Sequence, residues 1–232
     1  MKALLLRVGI DKGCGGTLAP IFDDGSFEYL PIPERFPAPD TPTYHDRIGR
    51  KGKRLSTYVP QRVKNAPMHE DPEFRSNTYG DPSLKRYYLL KLEKGDLLVF
   101  YAGLRPFRTQ KYQEALYIIA HFLVKEVADF NSLSDEEREA CSRAYSNNAH
   151  IKRHSTLDNL VIVAGTADSK LLDTAMLISR KKPNKAGRLT DALSAEMERL
   201  LGISGFVERS MPPRFVLDER NVAKLARRLD SA

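Results

Sequence analysis

Apolar residues gather first in short strand-like runs and take helical spacing mainly late in the chain. Residues 2–10 form a strand-like run that ends in a glycine-rich turn, Asp11 to Gly16. The segments 19–22 and 26–30 flank Asp23-Asp24-Gly25, the pattern of a hairpin with an Asp-Gly turn. From Pro31 to Pro82 the chain is dense in proline and has no sustained periodicity. A connection of that length inside a compact domain reads as a functional insertion and not as a linker. After Gly95-Asp96, the run 97–101 is continuously apolar, and 115–127 is long and partly β-branched; together they predict a central hairpin. Ser134 and Glu137 have the spacing of a capping box, which opens a helix through about Tyr145. Further strands are expected at 160–164 and 175–179, and helices at about 190–201 and 218–229, the last capped by Asp218. Strands early and helices late describe an α+β fold, not an alternating βαβ sheet.

Composition narrows the class. The chain has 232 residues, 41% of them apolar, enough for a sizeable core. Its net charge is +7, which favours polyanionic partners. Residues 47–64 hold Arg47, Arg50, Lys51, Lys53, Arg54, Arg62 and Lys64 with no acid among them. Clustered charge of this kind is what counterion release from nucleic acid requires, so Arg47, Arg50, Lys51, Lys53 and Arg54 are candidates for contacts to a phosphate backbone. Cys14 and Cys141 are too few for a disulfide framework or a cysteine zinc site, and a reducing cytoplasm is expected. The opening apolar run is broken by Arg7 and is too short for a signal peptide or a membrane span.

Candidate chemistry concentrates in residues 69–81, where His69, Asp71, Glu73, Phe74, Tyr79 and Asp81 precede the strand that carries Tyr101. A carboxylate enclosed by aromatic rings suits acid or base work, and it equally suits hydrogen bonding to the edge of a stacked base. Asp71-Pro72 and Asp81-Pro82 are also ordinary turn starters. His69, Asp71 and Glu73 alternate as metal ligands on an extended chain would, but no second ligand cluster accompanies them, and no metal is expected.

In the first turn, Arg7 and Lys12 stand beside Asp11, Gly13, Gly15 and Gly16, where exposed amides can grip a phosphate while Asp11 orients a sugar or base. The turn lacks a Gly-Lys-Ser/Thr ending and the spacing of a dinucleotide fingerprint. His150, Arg153, His154, Asp158 and Asn159 precede another buried strand and offer proton donors or phosphate ligands. His121, inside an apolar run, reads as a core histidine. No motif for a nucleoside triphosphate, flavin or S-adenosylmethionine is present, so no cofactor is named.

Gly95-Asp96 and the strands after it resemble the central strands of PUA-like barrels such as EVE and YTH modules. Residues 1 to about 180 resemble the third nucleotide-modification-associated domain family, found in prokaryotic and phage genomes beside DNA base-hypermodification systems. The residues that carry this resemblance are Arg7 to Asp11 with Gly13, Gly16 to Pro20, Asp71 to Phe74, Thr78 to Asp81, Gly95-Asp96, and Asp158-Asn159 before 161–165.

The resemblance implies a PUA-like mixed β-barrel over 1–180, with the insertion at 31–82 and a helical extension at 181–232 packed on the same domain. It also implies recognition or alteration of a base in DNA, with Phe74, Tyr79 and Tyr101 as walls of an aromatic cage. Partners would be DNA or a nucleotide, other base-modification proteins, and no membrane. The chain has no tryptophan, which departs from a YTH-style methyl-base reader. If the protein is an enzyme, Asp11, Asp71 and Asp81 are the expected acid and base groups. A reader without chemistry, or a structural component of a modification complex, are the alternatives.

Overall fold

The computed structural model describes residues 1–153, 157–208 and 211–232. Chain order runs β1 (Ala3–Arg7), β2 (Ala19–Ile21), β3 (Ile32–Pro33), β4 (Met68–His69), β5 (Thr78–Asp81), α1 (Arg86–Leu89), β6 (Leu97–Pro106), β7 (Ala115–Asp129), α2 (Asp135–Ala144), α3 (Ala149–Lys152), β8 (Val161–Gly165), β9 (Lys170–Leu177), β10 (Ser179–Pro183), β11 (Leu189–Leu193), α4 (Ala195–Leu201), β12 (Arg214–Val216) and α5 (Glu219–Asp230). The fold is mixed α and β, built on one large sheet in the order β12-β1-β6-β7-β8-β5, with β2 added beside β6 and β9 beside β7.

The expected apolar runs supply the centre of that sheet. Leu97 to Leu104 of β6 are all buried, as a strand covered on both faces requires. β6 and β7 form the antiparallel hairpin, with a register shift between Phe100 and Tyr101. β1 lies parallel to β6, Ala3 opposite Leu97 and Arg7 opposite Tyr101. The parallel pair needs a long crossover, and the proline-dense insertion is part of it. The capping box forms as predicted: Ser134 accepts from the Glu137 amide, and the Glu137 carboxylate accepts from that of Ser134. Asp218 caps α5, whose buried Val222, Leu225 and Leu229 share the core of β1, β6 and β7.

Three expectations are corrected. The sheet is open, not a closed barrel: its path ends at β12 on one side and β5 on the other. The helix expected over 190–201 begins as strand β11, paired antiparallel with β10, and only then becomes α4. Ser194 sets that boundary, because its side chain accepts from the Met197 amide and caps the helix there. The segment 181–232 is therefore not purely helical. It also contributes β12, which pairs with β1 and extends the sheet. The hairpin expected over 19–30 forms as a short one: Phe22 donates to the Ser26 carbonyl at 2.8 Å and Glu28 to that of Pro20 at 3.2 Å, with Ile21 opposite Phe27 and Gly25 in the turn. Among the described residues no helix is long and apolar enough to cross a membrane.

Candidate functional site

A cavity of about 510 Å³ opens where the ends of β1 and β5 and the middle of β6 meet α3. Residues distant in sequence line it: Arg7 and Asp11 from the first strand and turn, Asp71, Tyr79 and Asp81 from the insertion, Tyr101 from β6, and His150 and Arg153 from α3 and its end. His69, Ser83 and Lys85 add to the wall.

The backbone explains the convergence. In β5 successive side chains alternate faces, so Tyr79 and Asp81 share one, and the Tyr79 hydroxyl donates to Asp81 Oδ2 at 3.0 Å. The other Asp81 oxygen accepts from the Ser83 amide at 2.7 Å, and Lys85 Nζ stands 3.9 Å from Oδ2. Gly80 lies between them in tight quarters: a Cβ there would sit 2.8 Å from Ile162 Cδ1 and 2.9 Å from His150 Cδ2. Its amide donates to Asp71 Oδ1 at 3.0 Å. The short β3–β4 pairing sets Ile32 opposite His69 and so brings Glu34 to the back of the site.

Charged groups are packed closely behind the cavity. Asp71 Oδ1 also accepts from Asn148 Nδ2 at 3.0 Å, and Asn148 itself is fully buried. His150 Nε2 lies 3.5 Å and His69 Nε2 4.0 Å from Asp71 Oδ2. The two imidazoles meet edge to face with centroids 4.6 Å apart. Glu34 accepts from Arg153 through two parallel bonds, Nε at 2.9 Å and Nη2 at 2.8 Å, the fork geometry of an arginine–carboxylate pair. The other contact of Glu34 Oε2 is to His69 Nδ1 at 2.7 Å. Burial pushes the Glu34 carboxyl up, but bonds from His69, Arg153 and the Phe36 amide outweigh it and hold the group well below the usual carboxylate range. Burial, then the charges of Asp81 and Asp71, push the Tyr79 phenol well above its ordinary value; burial likewise raises Tyr101. Both tyrosines therefore stay neutral, as donors and ring surfaces. His69, Asp71 and His150 each offer one ligand atom, all within 4.8 Å of one another.

The other candidate residues lie elsewhere. Phe74 packs edge-on against Tyr29, Phe100 and Phe122 and faces a separate depression with Arg47 and Arg50. In the glycine turn, the amides of Gly13 and Cys14 donate to Asp11 Oδ1 at 2.8 and 2.7 Å, and Gly16 donates to the Asp11 carbonyl at 3.0 Å. Those donors hold the turn closed instead of facing a ligand. Gly15 faces the Ile10 side chain and Gly16 that of Arg62. Lys12 pairs with Glu114 and, with Gly13, lines a second cavity of about 270 Å³ that Arg7 and Asp11 also border.

Asp158 is exposed, and the exposed Asn159 side chain is held by Arg86 and Asn131. His154 lies outside the described residues. In the basic run, Arg47 pairs with Glu70 at 2.9 Å, Arg50 with Asp173 at 2.6 Å and Lys51 with Asp24 at 2.5 Å. Arg54 donates to the His45 carbonyl at 2.5 Å, and Lys53 is exposed. Much of that charge is thus matched within the chain. His121 is buried in β7, where burial holds its imidazole below the ordinary value.

Glu34 and Asn148 were not among the residues singled out from the sequence. Asn148 left one signal, an asparagine at a helix start, and its side chain indeed accepts from the His150 amide. Glu34 left none, since only the β3–β4 pairing brings it to His69.

No curated protein and no solved structure matches the chain. A family model described as nucleotide modification associated domain 3 matches residues 2–204, in agreement with the resemblance drawn from the sequence.

Proposed function

The chain belongs to the nucleotide modification associated domain 3 family, and from that premise we propose that it binds a nucleobase or nucleotide, within DNA, in a base-modification pathway. The observation that carries the reading is the cavity of about 510 Å³, which gathers three carboxylates, two tyrosines and two histidines from four separated stretches of chain. Its volume falls in the range of small-molecule sites, about 300–1,000 Å³. Its wall mixes apolar ring surface with a few convergent polar groups, as sites that read an extruded base do. Tyr79 and Tyr101 supply ring surface. Asp81 and Asp11, each oriented by the bonds it accepts, present carboxylates for the edge of a base. Arg7 and Lys85 attract the sugar-phosphate.

Asp71 and the flanking imidazoles of His69 and His150 concentrate polar chemistry at the back of the cavity. Keeping so many ionisable groups out of water is costly, and such clusters concentrate at functional sites. The half-buried free thiols Cys14 and Cys141 suit a cytoplasmic setting.

The test is equilibrium binding of nucleoside monophosphates and of single- and double-stranded oligonucleotides by the full chain, followed by mass spectrometry of the recovered nucleosides. Saturable binding that weakens at least about 10-fold in Asp81→Asn is expected, the loss of one charge-assisted hydrogen bond. A mass shift assigns catalysis, and an unchanged base assigns a reader. Absence of binding at low salt overturns the reading.

A further inference from the structure

We propose that His69, Asp71 and His150 bind one divalent first-row transition-metal ion at the back of the cavity. The inference goes beyond base binding and rests on the ligand set alone. Its first support is the orientation of the His69 ring. Nδ1 meets Glu34 Oε2 at 2.7 Å, with Arg153 Nη2 also 3.2 Å away, while Nε2 is turned to Asp71 Oδ2 at 4.0 Å, too far for a hydrogen bond. A metal ion between Nε2 and Oδ2 would be in reach of both.

The outer partners provide the second support. A metal-ligating histidine characteristically donates its other ring nitrogen to a carboxylate, and Glu34, whose side chain is 3% exposed and itself braced by Arg153, does this for His69. Asp71 is steadied in the same manner: Gly80 and Asn148 donate to Oδ1, while Oδ2 takes only a longer share of the Gly80 amide at 3.2 Å and stays turned toward the imidazoles.

The spacing is the third. Ligands about 2.1 Å from a metal lie about 3.0–3.5 Å apart. His150 Nε2 is already 3.5 Å from Asp71 Oδ2, and the whole set falls within 4.8 Å, so closure moves each imidazole by under about 1 Å. His150 Nδ1 lies 3.5 Å from Arg153 Nη1, a weak contact that yields when Nε2 takes the metal. Two histidines and one carboxylate on one side leave the remaining coordination positions facing the cavity, the arrangement of sites that bring a metal-bound ligand to a substrate. Sequence spacing suggested Glu73 as a third ligand, but the Glu73 carboxylate accepts from the amides of Arg75 and Ser76 and closes its own turn.

The test is titration of chelator-treated full-length protein with Co2+, read by visible absorption, and with Zn2+ and Mn2+, read by calorimetry. One ion per chain is expected. His150→Gln and Asp71→Asn, which keep the shape of the site, should each weaken binding by at least about 100-fold, and Glu34→Gln by about 10- to 100-fold. Circular dichroism establishes that each variant is folded, and His69→Ala serves as a further ligand deletion. No binding tighter than millimolar by the wild type overturns the proposal. Wild-type affinity in both folded variants, His150→Gln and Asp71→Asn, also overturns it. Nucleotide binding measured in chelator separates this outcome from failure of the base-binding reading.

Discussion

Arg153→Ala should destabilise the protein by about 3 kcal/mol through the carboxylate it leaves behind. Deleting one partner of a buried ion pair costs about 3–5 kcal/mol, because the other charge stays out of water without its match. Two features put this pair at the lower end. Glu34, 3% exposed, keeps its bonds from His69 at 2.7 Å and from the Arg35 and Phe36 amides at 2.7 and 2.9 Å, and the Arg153 side chain is 19% exposed. For a chain of this size, about 3 kcal/mol lowers the melting temperature by about 6–12 °C.

Urea denaturation in chelator at pH 7 measures the loss, and a cycle with Glu34→Gln isolates the pair, with non-additivity of about 1–3 kcal/mol expected. The pH dependence has a fixed sign. Glu34 is held below its ordinary value of 4.5 in the folded protein, so its contribution is complete above that pH and is lost as pH falls through the lower folded value. Arg153→Ala removes one of the bonds that hold the folded value down, and the gap between wild type and variant should narrow as pH falls through the variant's raised folded value. A loss under about 0.5 kcal/mol at pH 7 with additive single variants refutes the reasoning.

Gly80→Ala should cost about 1–3 kcal/mol and weaken base binding, because the added methyl meets Ile162 at 2.8 Å and the His150 ring at 2.9 Å; thermal denaturation and nucleotide titration check both. His121 is held below its ordinary value of 6.5 by burial, so its contribution is present above that pH and falls as pH drops below it; His121→Leu should flatten the stability slope between pH 7 and 5 by at most about 1.4 kcal/mol per unit. Arg50→Ala should leave the salt dependence of DNA binding unchanged, since its guanidinium is engaged by Asp173 and the Leu172 carbonyl; a fall of about one in the log–log slope would assign it to phosphate instead.

The apolar runs were enough to read the central sheet, because buried strands need continuous hydrophobic stretches and β1, β6, β7 and β8 have them. The capping side chains Ser134 and Asp218 were legible for the same local reason. Where pairing is made by distant or short segments, the pattern was silent: β12 is three residues long, and its partner β1 lies at the other end of the chain. β11 was mistaken for helix since Leu189 to Leu193 carries no clear alternation, and its strand state comes from β10 across the turn.

Much of the site was readable from polar residues that close apolar runs: Arg7, Asp11, Tyr79, Asp81 and Tyr101 line one cavity, together with His150 of α3. Phe74 was grouped with Tyr79 by proximity in sequence, yet it turns into the core beside Phe100 and Phe122. The metal ligands split the same way: His69 and Asp71 stood out as a local pair, but the third came from α3, a contact no spacing encodes.

Photo-crosslinking most directly tests whether the cavity holds a base. The full chain, with a single-stranded oligonucleotide carrying one photoreactive thymine analogue, is irradiated and the modified peptides are mapped. Crosslinks in the segments that contain Tyr79 to Lys85, Tyr101 or His150 to Arg153 are predicted. Crosslinks confined to the basic run from Arg47 to Lys64, with none in those segments, would contradict the account.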